Sequence, residues 1–459
     1  MELFAPENPR PIHFMGIAGA GMGALALLAR HRGVAITGSD IDPTNAADLI
    51  EAGVEVYTGH DPSHIRDAGA VVYTSAVPPD HPVLAAAVAA GIPIFKRAEA
   101  LRLLLSGRPV VGVAGTHGKT TTTAMVTEVL EACGFDPTGI VGGRVAAWGG
   151  NARVGSDRLY VVEADEYDRS FLSLHPRIAV VNNVESDHLE CYGSEAAMED
   201  AFVEFAGRAE RVLVGADDPG ARRVAERVGG AVWRVGLDAT ADIRMTDVRQ
   251  EPGSTTGSLH LADGRAVRLT LTVPGIHNLR NAAMAIGVAT ALDADLAAAA
   301  AALTRFTGVG RRFQVLGTKR GVTVVDDYAH HATEVAATLL AARQQFPGAR
   351  IMAAFQPHLY SRTQRQGGAL GRALAAADVV VVTDVYPARE QPIPDVTGMM
   401  VVEAAREAGA DVTWVENRDH LARQLAEMAR PGDVVLTLGA GDITLVAGEL
   451  LHQLNGAAA

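Results

Sequence analysis

The 459-residue chain carries 53 acidic against 40 basic side chains, and its net charge of −13 argues against a nucleic acid or an anionic membrane as partner. Hydrophobic residues at 48% and charged ones at 20% describe a folded chain rather than a disordered one, and the length predicts about three domains at roughly 150 residues each. No basic segment followed by an apolar run opens the sequence, and no stretch reaches the ~20 apolar residues of a membrane span, so a cytoplasmic protein is expected.

Strand-like runs alternate with Ala/Leu-rich helical stretches, the pattern of parallel α/β sheets. In the first segment, 1–107, the strands are PIHFMGIAG, VAITGSD, AVVYTSA and IPIF. The first of them runs into a glycine loop holding Gly16, Gly19, Gly21, Met22 and Gly23, and an amphipathic helix follows. Gly19-x-Gly21-x-x-Ala24 fits the dinucleotide fingerprint, and Asp40 ends the next strand about 20 residues on. Glycines allow close backbone approach to a diphosphate at the helix N-terminus, and the carboxylate can take ribose hydroxyls. NAD and a UDP-sugar present the same ribose and pyrophosphate, so this motif does not separate them. Glycines needed only for turn geometry are the plainer alternative.

The second segment, 108–310, opens with VVGVAGTHGKTTTT, a strand, a glycine turn, a lysine and hydroxyl residues at the start of a helix. The phosphate-loop pattern G-x-x-x-x-G-K-[ST] wants glycine at 113, where the chain has Val113; the loop Gly115–Thr116–His117–Gly118 is two residues shorter. The order of parts still suits a phosphate, with Lys119 reaching the anion and Thr120 or Thr121 offering a hydroxyl to Mg²⁺. Lys119 is one of only three lysines in the chain, with Lys96 and Lys319. The alternative is a surface lysine beside a threonine-rich cap. LYVVEADEYD then supplies Glu163 at a strand end, the position from which an acid holds a metal. Asp165, Glu166 and Asp168 behind it either form a solvated acidic loop or share a cation. His188 follows another strand, IAVVNNV, and reads as a metal ligand or a structural histidine. In PGIHNLRNA, His277 and Asn281 share a helix face with Asn278 beside them, suited to an adenine edge or to capping. Strands RVLVGAD and AVWRVG complete the segment, and Cys133 and Cys191, without metal-type spacing, read as free buried thiols.

FTGVGRR, 306–312, suits a hinge, and the third segment, 311–459, carries strands VTVVDDY, RIMAAF, DVVVVTD, VTWV and DVVLTLGAGD. The fold class expected is α/β in three domains: an N-terminal Rossmann-like domain, a central P-loop-type ATPase sheet and a C-terminal Rossmann-like domain.

GIAGAGMG, GTHGKTTT, EADEYDRSFL, ESDHLECY, PGIHNLRNA, GRRF, DDYAHH, FQPHLYSRT and GAGDI, in this order across nearly the whole chain, resemble the Mur ligase family of peptidoglycan synthesis. The family's glycine loop is itself shortened to GTxGKT. The resemblance implies an ATP- and Mg²⁺-dependent amide ligation through an acyl phosphate. It is narrowest to the members that join L-alanine to UDP-N-acetylmuramate, acting as a monomer or homodimer. It implies that Lys119 bridges the phosphates, that Thr120 or Thr121 and Glu163 hold one metal, and that His188 serves a second. Gly115, Thr116, His117 and Gly118 would cradle ATP, with Asn278 and Asn281 near adenine, Arg312 on the phosphates and Asp327 on the ribose. Tyr328, His330 and Arg362 would line the amino-acid side, and Gly16, Gly19, Gly21, Met22, Asp40 and Ser75 would hold the UDP-sugar. The carbamylated lysine of several family members is unavailable, because no lysine lies between Lys119 and Lys319. Two positions depart from the family pattern: Leu359 stands where many members have arginine, and Ala332 for a common proline.

A murein tripeptide ligase acting on the same UDP-sugar shares the ATP motifs, but with a different first loop and phenylalanine expected at position 328. Folate polyglutamate ligases lack the first domain. An NAD-dependent dehydrogenase would explain residues 12–40 and leave GTHGKTTT and Glu163 unused. A non-enzymatic nucleotide switch would show little dependence of turnover on any amino acid.

Overall fold

In the computed structural model, which describes residues 3–388 and 390–456, the architecture is α/β with three sheet-containing domains. The first sheet comprises β1 (Ile12–Met15), β2 (Ile36–Asp40), β3 (Glu55–Thr58), β4 (Ala70–Tyr73) and β5 (Ile94–Lys96). Its order is β3-β2-β1-β4-β5, all parallel. Chain direction across the sheet reverses beside β1, so the loop after β1 opens into the crevice where doubly wound sheets bind ligands. β3 is absent from the sequence reading because EVYT, on the sheet edge, has no continuous apolar run.

One face of this sheet buries Ile12, Phe14, Ile36, Ala70 and Val72 in an ordinary apolar core. The other face buries an imidazole. His13 is fully enclosed, with Nδ1 3.0 Å from the Thr37 hydroxyl and Nε2 3.0 Å from the Ser39 hydroxyl on the neighbouring strand. Ser39 Oγ lies 2.8 Å from Nδ1 of the half-buried His60. A neutral ring can donate at one nitrogen and accept at the other, which satisfies both partners.

The second sheet holds β6 (Val110–Ala114), β7 (Thr138–Val145), β8 (Gly150–Arg153), β9 (Tyr160–Glu163), β10 (Ile178–Val181), β11 (Arg211–Gly215) and β12 (Val232–Gly236). β13 (Ile243–Glu251), β14 (Ser254–Leu261) and β15 (Ala266–Leu271) continue it. The order is β15-β14-β13-β12-β11-β10-β6-β9-β7-β8. Fully buried β6 therefore lies between β10 and β9, parallel to both. Their C-terminal ends converge on the glycine turn.

The third sheet holds β16 (Gln314–Lys319), β17 (Val322–Asp327), β18 (Ile351–Phe355), β19 (Val379–Thr383), β20 (Val412–Val415) and β21 (Val434–Leu438), in the order β16-β17-β21-β18-β19-β20. Only β16 is antiparallel to its neighbour. Packing divides the chain into two compact units, 1–247 with 257–269 and 280–306, and 248–256 with 270–279 and 307–459. The division between Phe306 and Thr307 falls inside FTGVGRR. Among the described residues no helix is long and apolar enough to cross a membrane. Cys133 and Cys191 are free but only half-buried, where the sequence reading expected burial; each lies near the C-terminal end of a helix, at the edge of the core.

Burial, with the nearby His64 and His60, lowers the pKa of His13 from 6.5 to about 4. Between those values the unfolded chain binds the proton that the folded one refuses, so stability is full above about pH 6.5 and falls as pH drops towards 4, by up to ~3 kcal/mol. Urea midpoints for the wild type and His13→Asn at pH 7 and pH 4.5 should show this component in the wild type and its loss in the variant.

Candidate active site

The glycine turn after β6 is a backbone solution. Gly115 has φ +138° and Gly118 φ +76°. A β-carbon on Gly115 would lie 3.0 Å from Cβ of Asn182, and one on Gly118 2.7 Å from Oδ1 of Asn281. The helix Lys119–Ala132 begins at once, with no side-chain cap on its first N–H groups, which leaves them aimed along the helix dipole. The turn is clamped from β10: Asn183 accepts from the N–H groups of Thr116 (3.1 Å, carbonyl) and His117 (2.7 Å, side chain). The side-chain amides of Asn182 and Asn183 both donate to the His117 carbonyl, each at 3.2 Å. The sequence reading assigned these two asparagines nothing. Their signal was two amides ending a strand whose neighbour ends in a glycine loop.

β9 brings the acids. Glu163 pairs in register with Val113, beside the turn. Its Oε1 accepts from the Thr120 hydroxyl at 2.9 Å and its Oε2 from the Gly142 N–H at 2.5 Å. Behind it the acidic run is not a uniformly solvated loop. Glu166 is buried, and its carboxylate takes the Lys119 ammonium on both oxygens, at 2.9 and 2.8 Å. The same ammonium donates to the carbonyls of Gly115 at 2.6 Å and Thr116 at 3.2 Å. Burial works against a charged Lys119, but Glu166, Asp165 and Glu163 outweigh it and raise its pKa above the lysine range. Burial raises the pKa of Glu166, and Lys119 opposes the rise. Asp168, in the left-handed region at φ +53°, accepts at 3.2 Å from both Ser75 and Lys96.

His188 also sits in the left-handed region, at φ +50°, with its N–H bonded to Asp187 Oδ1 at 2.8 Å. Its ring nitrogens lie 3.3 Å from carboxylate oxygens of Asp187 and Glu190, and the Tyr167 ring meets it edge-on. Asn281 is buried beside Gly118, whereas the Asn278 amide donates back to the carbonyl of Pro274 at 2.7 Å.

The first glycine loop is held from β2. The N–H groups of Gly16 (2.8 Å) and Ile17 (3.2 Å) donate to the Ser39 carbonyl, and the Ala18 N–H donates to Asp40 at 2.9 Å. Gly16 has φ +80°, and the Arg97 guanidinium lies 3.0 Å from where a β-carbon on Gly21 would stand. Met22, the third residue of the helix Ala20–His31, is buried in the core of this sheet.

In the second unit, both Asp327 oxygens are engaged by backbone N–H groups, of Phe313 and Ala329, each at 2.7 Å. Burial pushes the pKa of Asp327 up to about 6 against the pull of Arg312. The guanidinium groups of Arg311 and Arg312 lie 5.0 and 4.9 Å from the centre of the Tyr328 ring. Burial holds His330 neutral, its pKa far below 6.5, with Nδ1 2.9 Å from the Tyr328 carbonyl. Buried Arg362 reaches His358 at 3.2 Å, and the His358 ring stacks on Tyr386. Leu359, at φ +68°, caps the helix Tyr360–Leu374 by its backbone and donates its N–H to the Tyr386 carbonyl at 2.9 Å. Ala332 is the first residue of the helix Ala332–Gln345, a position that proline also favours, so the departure leaves the helix start intact.

Three family models match consecutive parts of the chain: Mur ligase family, catalytic domain, over 11–108; Mur ligase middle domain over 113–289; and Mur ligase, glutamate ligase domain, over 311–441. The chain belongs to the Mur ligase family. Among Mur ligases it is 45% identical to the UDP-N-acetylmuramate--L-alanine ligase of Cutibacterium acnes, over 100% of this chain and 99% of that one. It is 44% identical to the enzyme of the same name from Streptomyces coelicolor, over 96% and 97%. The crystal structure of UDP-N-acetylmuramate-alanine ligase MurC from Thermotoga maritima matches with a TM-score of 0.84 at 30% identity, covering 98% of this chain and 100% of that one.

Removing the Lys119 ammonium leaves Glu166 buried without its cation. Lys119→Ala should cost about 3–5 kcal/mol of stability at pH 8 and less as pH falls, since burial raises the Glu166 pKa and its protonation removes the unpaired charge. Adding Glu166→Gln should restore most of the loss; chemical denaturation of the two variants at pH 8 and at lower pH checks this.

Proposed function

We propose that the chain joins L-alanine to the lactyl carboxylate of UDP-N-acetylmuramate with ATP, giving UDP-N-acetylmuramoyl-L-alanine, ADP and phosphate, a step of peptidoglycan precursor synthesis. The observation that carries this is full-length identity of 44–45% to enzymes of that name, through the segments expected to bind sugar and amino acid as well as the ATP segment. Residues 1–107 would bind the UDP-sugar, 108–310 ATP, and 311–459 the amino-acid side, in a cytoplasmic monomer or homodimer.

The residues present suit Mg²⁺, because a hydroxyl and a carboxylate 2.9 Å apart at a helix N-terminus form an oxygen donor set of the kind hard cations take. Thr120 and Glu163 would hold one ion and His188 would serve a second, and the bound ions would supply charge screening between ATP and the substrate carboxylate. The chain's own part follows from its charges. The uncapped N–H groups at the start of the helix Lys119–Ala132 bind phosphate oxygens, and Lys119 moves from Glu166 to the phosphates. The lactyl carboxylate takes the γ-phosphoryl group of ATP, the amine of L-alanine attacks the acyl phosphate, and the tetrahedral intermediate expels phosphate. Asn281 sits beside the turn on the adenine side with Asn278 near it, Arg312 neutralises phosphate charge, and Asp327 takes the ribose. Tyr328, His330 and Arg362 line the amino-acid side. Gly16, Gly19, Gly21, Asp40 and Ser75 face the UDP-sugar, and Met22 supports their loop from the core beneath it.

Purified protein given UDP-N-acetylmuramate, MgATP and L-alanine should release phosphate, and omission of any one should stop it. Lys119→Ala should lower turnover about 100-fold or more. Glycine should be used less well than L-alanine, by about 10- to 200-fold in kcat/KM for the missing methyl. Oxidation of NADH without use of ATP would sink the reading.

A further inference from the structure

The His13–Ser39–His60 chain has no part in the chemistry above, yet it ends at the loop that the reading assigns to the UDP-sugar. Ser39 is the shared element. Its hydroxyl stands between the two imidazoles at 3.0 and 2.8 Å, while its carbonyl accepts from Gly16 and Ile17 at the mouth of the glycine loop. The next residue, Asp40, holds the Ala18 N–H. A fully buried histidine therefore fixes the rotamer of a serine whose own backbone fixes the loop.

The proton count makes the chain directional. With both rings neutral, three hydrogen bonds use one hydrogen each: Thr37 to His13, His13 to Ser39 and Ser39 to His60, or all reversed. A second proton on one ring fixes the direction of the chain, and protons on both rings leave the Ser39 hydrogen without an acceptor in it. The groups facing the chain are the Tyr57 ring of β3, stacked on His64 at 4.2 Å, and His81 at the cap of the helix Pro82–Ala89, edge-on to His60 at 5.6 Å. The Asp40 carboxylate faces His60 as well and favours its protonation, against burial and His81. An apolar residue at position 13 would fill the same space, as Val71 does beside it on β4. A histidine there supplies orientation rather than burial.

We propose that His13, acting through Ser39 and His60, is a positioning residue for the first glycine loop, setting affinity for the UDP-sugar without touching the reacting atoms. The inference rests on the assignment of residues 1–107 to the UDP-sugar. Ser39→Ala removes the bridge, Ser39→Thr keeps a hydroxyl, and His60→Gln, at a half-buried site, leaves the core intact. Calorimetric titration of UDP-N-acetylmuramate into Ser39→Ala and His60→Gln should show Kd raised about five- to tenfold, the size of one or two hydrogen bonds. Ser39→Thr should recover most of the affinity. In turnover the same variants should raise KM for the UDP-sugar while kcat and KM for ATP stay within about twofold. Variants that bind the UDP-sugar like the wild type, or that lose kcat and both KM values together, would overturn the proposal and leave the ligase reading standing. A wild-type chain that binds no UDP-sugar would overturn both.

Discussion

Of the four carboxylates that follow one another out of β9, three each have a different set of donors. Glu163 meets a hydroxyl and a backbone N–H, Glu166 a buried ammonium, and Asp168 an exposed ammonium and a serine. Placed together in a fully solvated loop they would only repel one another. Distributed this way, one turn fixes the helix start at Thr120, the lysine of the glycine turn, and the end of β5 in the first sheet. Glu166 carries the largest share, because a buried carboxylate is tolerated only while its cation stays close. The glycine turn is thus preformed around the charge balance of Lys119 and Glu166.

The two glycine loops reach rigidity by different routes. The second is gripped by side-chain amides from β10 that bond its carbonyls and N–H groups, so loop and clamp are neighbours in one sheet. The first is gripped by the backbone of β2, where the Ser39 hydroxyl also lies between two imidazoles. Both arrangements leave the helix N–H groups uncommitted to side-chain caps. Binding energy can then go to the ligand rather than to ordering the loop.

Strands with continuous apolar runs, such as VVGVA, IAVV and VVVVT, were legible because strands covered on both faces carry no polar interruptions. The sequence reading passed over β3, β7, β8, β16 and the run β13–β15, where partial exposure or interrupting glycines thin the apolar signal to alternation or less. At the candidate site, Gly115, Gly118, Lys119 and Glu163 could be read because their spacing reflects local backbone geometry. Glu166 could not: in sequence it is one acid among four, and only the fold decides which of them is enclosed with the lysine. The N–H groups that Asp327 accepts, from Ala329 two residues on and from Phe313 fourteen residues back, are likewise set by the fold and invisible in DDY.

The scarcity of lysine gives the acidic turn a further property. Of the chain's three lysines, one is held beneath the turn with its side chain 14% exposed, and a second lies on its outer flank at 54%. Reagents that acylate side-chain amines therefore meet almost no competing sites. The reactivity of Lys119 relative to Lys96 reads out, within one molecule, whether the loop lysine is sheltered by Glu166 or drawn towards an anion. The chain carries its own chemical probe of that exchange, with no label to be introduced.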